Sequence, residues 1–359
     1  MDIKKIDKNF DLSFAAPSDV EWFSPLEKPF KIYGVYYDEN EGAFLRLPGE
    51  IAKKVNDGVV YLHGHTAGGR LRVKTDSPYI ILRATEPYDN IMSHMPLSGQ
   101  CGFSLFGDNG FVKTYMPFWT AISESREKGE FSFDGIADTD GLTHNYTFYF
   151  PLYNGVKSLY IGLKKGCFVD FADEYRHKRP ILFYGSSITQ GGCASKPGDD
   201  YINRLSYMLD SDIINLGFSG SAKGEKAMVD YLASFDPSVF VIDYDHNAPN
   251  AEHLKNTHYP LYEKIRQEHK DTPVIFMTMP VFNGFADKGS WKERFDVIRE
   301  TYDKAILNGD KNAYFISGDG FLSSAFLDGC ATVDGCHPDS LGFYLMANAL
   351  YPTLKKILG

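Results

Sequence analysis

The sequence predicts a two-part fold. An antiparallel β-sandwich of jelly-roll type is expected over residues 1–175, followed over 176–359 by a three-layer α/β/α domain with five parallel strands. Three observations carry this. Up to about residue 170 the chain is a series of short aromatic or β-branched runs separated by Gly, Asp, Asn and Pro clusters. From about residue 180, short apolar runs alternate with amphipathic segments of a dozen residues or more, the rhythm of a parallel sheet covered on both faces. Between them DEYRHKR (173–179) is a charged stretch, expected to be a linker or a short helix.

In chain order, the expected sandwich strands are FKIYGVYY (30–37), AFLRLP (43–48), GVVYLHG (58–64), LRVKTDSPYIILRA (71–84), GFSLFG (102–107), TYMPFW (114–119), GEFSFDG (129–135), NYTFYFPLY (145–153) and KSLYIGL (157–163). The parallel strands are ILFYG (181–185), DIINLG (212–217), VFVIDYD (239–245), PVIFMTMP (273–280) and AYFIS (313–317). Five segments fit helices that cover them: 199–210, 225–235, 252–269, 291–307 and 340–358, each with apolar residues at helical spacing.

Composition excludes several classes of function. The chain has 359 residues, enough for two cores, with 43% apolar and 23% charged residues. A net charge of −10 without a basic stripe argues against a nucleic-acid surface. The N-terminal residues lack the apolar core of a signal peptide and no stretch is long enough to span a bilayer, so a cytoplasmic chain without a membrane partner is expected. Five scattered cysteines, Cys101, Cys167, Cys193, Cys330 and Cys336, read as free thiols, and their spacing does not suggest a zinc site.

The chemistry gathers where strands end. The strand 181–185 runs into GSSITQGG and presents Ser187, and near the C-terminal end VDGCHPDSLG places Asp334 three residues before His337. A serine hydroxyl is a weak nucleophile that needs a base, and the base needs a carboxylate to fix its tautomer. In a parallel sheet all three can meet in the crevice beyond the strand ends. Taken singly, each motif has a plainer reading: GSS is a common turn, and Asp-x-x-His is often a helix cap beside a surface histidine. After the second parallel strand, the FSGSA loop (218–222) contains Gly220, whose N–H could approach a ligand closely; an ordinary turn is the plain reading. After the third strand, Asn247 could offer its side-chain amide or simply cap a turn.

The four blocks together resemble those of the SGNH, or GDSL-type, hydrolases. GSSITQG is similar to the first block, with Ser186 where the family more often has Asp. NLGFSG is similar to the second, and DGCHPDSLGF to the last. The third block departs from the family's Gly-x-Asn-Asp: here Asp245-His246-Asn247-Ala248 keeps the asparagine and loses the flanking glycine and aspartate. The front half resembles the sandwich that precedes the hydrolase domain in a bacterial branch, where a GxDLY-like signature stands near Gly34-Val35-Tyr36-Tyr37. The order of the two parts is similar to that of the family two carbohydrate esterases.

The resemblance implies a flavodoxin-like hydrolase domain with Ser187, His337 and Asp334 as a triad. An oxyanion hole would be made by the N–H groups of Ser187 and Gly220 and by the Asn247 amide. It further implies an acyl-serine route without metal or organic cofactor, acting on short-chain O-esters, acetyl above all, of sugars or oligosaccharides. An acyltransferase with the same triad is one alternative and a non-enzymatic carbohydrate-binding protein is another. Assembly into a homo-oligomer is left open.

Of the remaining polar and aromatic residues, Asp245, His246 and Trp291 are candidates for substrate contact. His253 and His258 could line the cleft entrance, and Trp119 could join Trp291 in a sugar-stacking wall. His63 and His65 alternate as metal ligands on a strand would, but without a third ligand a solvated sandwich face is the better reading.

Overall fold

The computed structural model describes residues 15–117, 122, 125–281, 290–322 and 330–359. The sandwich begins with β1 (Val20–Phe23), β2 (Lys31–Tyr33), β3 (Tyr36–Asp38) and β4 (Ala43–Leu45). Two short helices, α1 (Gly49–Val55) and α2 (Asp57–Leu62), lead to β5 (Arg70–Thr75) and β6 (Tyr79–Pro87). Then come α3 (Leu97–Gln100), β7 (Phe103–Gly107), β8 (Gly110–Tyr115), β9 (Glu130–Asp138), β10 (His144–Tyr149), β11 (Ser158–Lys164) and β12 (Val169–Asp170). One sheet has the order β1-β11-β6-β9; the other runs β12-β5-β10-β7-β8 with β2 also on β5, and the pairings in both are antiparallel. Their inward residues, among them Leu71, Val73, Ile80, Leu82, Phe103, Phe148 and Ile161, form one aromatic-rich core. Along β9 buried and more exposed side chains alternate at Phe131, Ser132 and Phe133, as a strand with one covered face requires.

One expected strand is a helix. GVVYLHG provides most of α2, because Asn56 adopts an extended conformation and its side chain accepts the Val59 N–H, capping the turn. Val59 and Leu62, three residues apart, are the buried pair, which is helical spacing. They pack with Leu47, Ala52, Leu216 and Phe218, so this segment shares a core with the second half of the chain. TYMPFW is strand only as far as Tyr115, and its Phe118 and Trp119 lie outside the described residues. DEYRHKR is irregular up to Arg176, after which the chain enters the first parallel strand.

The parallel strands are β13 (His177–Gly185), β14 (Ser211–Gly217), β15 (Val239–Asp243), β16 (Val274–Met277) and β17 (Ala313–Ile316), in the order β14-β13-β15-β16-β17. After β13 comes the one-turn helix α4 (Ser187–Gln190), followed along the chain by α5 (Tyr201–Leu209), α6 (Lys226–Ala233), α7 (Ala251–Glu268), α8 (Ser290–Leu307) and α9 (Ser340–Leu358). Alternate strand residues serve opposite faces. Leu182, Tyr184, Phe240 and Ile242 pack with α6, α7 and α8, whereas Ile181, Phe183, Val239 and Val241 pack with α5 and α9. That is the three-layer, flavodoxin-like arrangement expected, and its topological switch lies at β13, whose neighbours continue to opposite sides. Among the described residues no helix is long and apolar enough to cross a membrane.

Arg46 pins the two halves together. It is 4% exposed and donates to the carbonyls of Leu62 and His65 on its own side and of Asn215 and Gly217 on the other, while stacking on Phe218. Arg70, fully buried, reaches across in the same way to Asp212 and the Ile213 carbonyl. Arg46→Met would keep the aliphatic stem and strand four carbonyls, with an expected loss of at least ~3 kcal/mol of unfolding free energy. Urea denaturation measures it; an unchanged midpoint would mean that water replaces the guanidinium without cost.

Candidate active site

The nucleophile turn is built by local capping. Gly185 ends β13 where a Cβ would stand 2.2 Å from the Asp243 carbonyl, so the strand can turn there only without a side chain. Ser186 is the N-cap of α4: its hydroxyl accepts the Ile188 N–H, and its own N–H donates to the Thr189 hydroxyl. Asp and Ser are comparably good caps, which is a physical reason that serine serves where the resembling family more often has aspartate. Beneath the turn, one carboxyl oxygen of Asp243 accepts from the Thr189 and Tyr201 hydroxyls. Burial, with Asp245 adding to it, pushes the Asp243 carboxyl well above the usual range and favours the neutral acid. Ser187 follows as the first residue of α4, and its carbonyl accepts from the N–H groups of Gly191 and Gly192 and from the Tyr153 hydroxyl at 3.1 Å. Tyr153 comes from the sandwich half, so that half touches the serine directly.

Asp334 and His337 lie in a loop closed by an antiparallel bridge between Thr332 and Pro338, just before Asp339 caps α9. The His337 Nδ1 stands 2.7 Å from Asp334 Oδ2, and its Nε2 is 2.9 Å from the Ser187 hydroxyl oxygen. The other Asp334 oxygen accepts the backbone N–H groups of His337 and Cys336. Burial works against the Asp334 charge, but these backbone bonds and the imidazole outweigh it and hold the carboxyl at about 2. An ionised Asp334 accepts a hydrogen bond from Nδ1–H and so keeps the ring proton there, which leaves Nε2 as the acceptor for the serine proton.

The polar groups expected around the nucleophile are distributed as follows. The Gly220 backbone has φ 65°, and its N–H makes no hydrogen bond among the described residues. Asn247 ends a 3₁₀ turn, Asp245–Asn247, and its side-chain amide donates to the Phe218 carbonyl at 2.8 Å, which orients it toward the Gly220 loop. The irregular third block is held by other means than the family's glycine and aspartate. Asp245 is 1% exposed, and its carboxylate accepts the N–H groups of His246 and Met279. Arg294 from α8 donates to the carbonyls of Asp245 and Ala248. Asp245, which the sequence made a candidate for substrate contact, thus ties the turn to the chain just after β16. Burial raises its carboxyl to about 6.

His246 lies close enough to His337 for their charges to interact; burial first, then His337 and Arg294, push it down to about 4. At neutral pH it is thus an uncharged imidazole, and its Nε2 makes no hydrogen bond among the described residues. Trp291 packs edge-on against Phe295, with ring centroids 6.1 Å apart. His258 is in the core, bonded to Thr301, and His253 bonds the Lys223 carbonyl.

Sequence reasoning missed the seam between the halves. His65, expected on a solvated strand face, is 6% exposed in the loop after α2. Its Nε2 faces Asp89 at 3.1 Å and its Nδ1 faces the Gln190 amide at 3.3 Å. Burial lowers its pKa despite Asp89, so the neutral ring accepts from Gln190 on one side and donates to Asp89 on the other. Gln190 in turn accepts the Ser219 N–H at 3.1 Å, which links the sandwich to the loop carrying Gly220. A cavity of about 260 Å³ opens along this seam, lined by Tyr61, His65, Asp89, Tyr153 and Ser219 among others. The only sequence signal was the pair of histidines in YLHGH, and the side-chain partners of His65 are 24 and 125 residues away.

A serine, histidine and aspartate in hydrogen-bond sequence at a strand end, behind a sandwich that reaches the serine, define a recognisable family arrangement. Residues 178–355 match the GDSL-like Lipase/Acylhydrolase family, and residues 20–169 match the N-terminal domain, GxDLY, of SGNH hydrolase-type esterases. The chain belongs to this esterase family. A Bacteroides ovatus protein described as a GDSL-like lipase is similar over 94% of this chain and 98% of its own, at 26% identity and a TM-score of 0.81. A salicylyl-acyltransferase from a tetracycline biosynthetic pathway superposes with a TM-score of 0.76 at 16% identity, over 95% and 98% of the two chains. An acetyl xylan esterase from the rumen bacterium Butyrivibrio proteoclasticus does so with 0.61 at 15%, over 95% and 99%. No curated protein sequence matches the chain. As a GDSL-type esterase, the chain is a hydrolase acting on esters.

Proposed function

We propose that this esterase removes short acyl groups, acetyl above all, from the hydroxyls of sugars or oligosaccharides. The observation that carries the reading is the hydrogen-bonded series Ser187, His337, Asp334, with separations of 2.9 and 2.7 Å, set beside sandwich residues. Ser187 attacks the ester carbonyl while His337 takes its proton and Asp334 stabilises the resulting imidazolium. The developing oxyanion is met by the Ser187 and Gly220 N–H groups and the Asn247 amide. Collapse expels the sugar hydroxyl, protonated by His337, and water then hydrolyses the acyl-serine with His337 as base.

The likeness to an acetyl xylan esterase and to a family two carbohydrate esterase favours acetyl and sugar. The likeness to an acyltransferase keeps acyl transfer as a second reading, in which an alcohol replaces water at the acyl-enzyme.

A panel of acetylated mono- and oligosaccharides assayed with wild type and Ser187→Ala tests the proposal. Released acetate should depend on Ser187 and exceed that from longer acyl esters. Activity confined to long-chain esters would overturn the substrate class, and a transferred acyl group on an added acceptor alcohol would select the second reading. Asn247→Ala should lower kcat about 100- to 1,000-fold with little change in KM, since an oxyanion donor acts mainly in the transition state. A rise in KM with kcat preserved would instead make Asn247 a ground-state contact.

A further inference from the structure

We propose that the two imidazoles of His94 and His337 and the thiolate of Cys193 form a site for a soft divalent cation, zinc above all, whose occupancy shuts off the esterase. The ligand atoms of these three side chains lie within 4.8 Å of one another, and no carboxylate is among them. His94 belongs to the sandwich half and packs ring against ring on His337, centroids 5.7 Å apart, so the site bridges the two parts of the chain. Cys193, in the loop after α4, is 2% exposed. Its backbone has φ 76°, a conformation that glycine would adopt at less cost, so the sulfur stands where the backbone gains nothing from it.

The donor set decides the cation. One sulfur and two imidazole nitrogens suit zinc, whereas magnesium and calcium prefer oxygen. Three protein ligands leave one tetrahedral position for water or the Ser187 hydroxyl. Zinc brings nitrogen and sulfur donors to roughly 3.3–3.7 Å of one another, so the present span closes by about 1 Å, within reach of a rotamer change at the half-buried His94. Binding replaces the thiol proton of Cys193, which passes to solvent. Because His337 Nδ1 is committed to Asp334 at 2.7 Å, the nitrogen open to the cation is Nε2. That nitrogen faces Ser187, and a bound cation removes the lone pair that takes the serine proton. The inhibitory consequence rests on the role proposed for His337; the binding itself does not.

Two separate measurements test the proposal. Equilibrium dialysis of Ser187→Ala, which has the three ligands and no turnover, should show one zinc per chain, and cobalt in its place should give a thiolate-to-metal charge-transfer band. Hydrolysis of p-nitrophenyl acetate by wild type should fall with added zinc and return with EDTA. His94→Phe, which keeps the ring contact, and Cys193→Ala should each retain metal-free activity and weaken zinc inhibition at least about 100-fold. Absence of stoichiometric uptake by Ser187→Ala overturns the site, as does a His94→Phe, Cys193→Ala double variant as zinc-sensitive as wild type. Stoichiometric binding without inhibition overturns the regulatory claim while leaving the esterase reading to its own test.

Discussion

Replacing Ser187 with alanine should abolish ester hydrolysis, lowering kcat roughly a million-fold, the loss seen when a serine hydrolase is deprived of its nucleophile. The structure makes this a clean experiment, because among the described residues the hydroxyl makes a single side-chain bond, to His337 Nε2 at 2.9 Å. The turn does not depend on it. Ser186 and Thr189 cap α4, and the Ser187 carbonyl keeps its bonds from Gly191, Gly192 and Tyr153. The variant should therefore unfold at the wild-type temperature and still bind substrate, while losing all labelling by a fluorophosphonate. Residual kcat above about one per cent would place the nucleophile elsewhere, since the oxyanion donors alone leave only a small fraction of the rate.

How far the site was legible follows from where its information lies. Ile181, Leu182 and Phe183 are fully buried between two helical layers, so the inner part of β13, from Pro180 to Tyr184, appears in the sequence as an unbroken apolar run. Ser187 is then placed by chain continuity alone. His337 and Asp334 could be paired because the bond between them spans three residues. Arg46, His65 and Gln190 were not legible as a unit: their bonds join residues up to 171 apart, and no local period or spacing encodes such a meeting. GVVYLHG read as a strand because valine and tyrosine favour strands, yet packing of Val59 and Leu62 on the second domain and the Asn56 cap overrode that preference. Asp245 looked like a cleft residue because it follows a strand end. Its burial and its bond to the Met279 N–H could be seen only once β15 and β16 were known to be neighbours.

Asp334→Asn should lower kcat about 10⁴-fold while leaving the fold intact, and the reason is which way the amide must face. Asp334 Oδ1 accepts the N–H groups of His337 and Cys336, at 2.7 and 3.0 Å. An asparagine must keep its carbonyl oxygen there, so its NH₂ is turned toward His337 Nδ1. That nitrogen must then accept, the ring proton moves to Nε2, and Nε2 can no longer take the serine proton. Asp334→Ala differs, because it also strands the two backbone donors and should lower the melting temperature as well as the rate. The two substitutions thus separate the electrostatic role of the carboxylate from its role in closing the loop. Acid provides an independent check. With its carboxyl lowered to about 2 from an unperturbed 3.8, Asp334 contributes stability that is complete above the higher value and is lost as pH falls through the lower. Wild type should lose this part of its stability between about pH 4 and pH 2, whereas Asp334→Asn should not. Acid-unfolding curves that run parallel for the two proteins would show that the carboxylate is no better held in the folded chain than in the unfolded one.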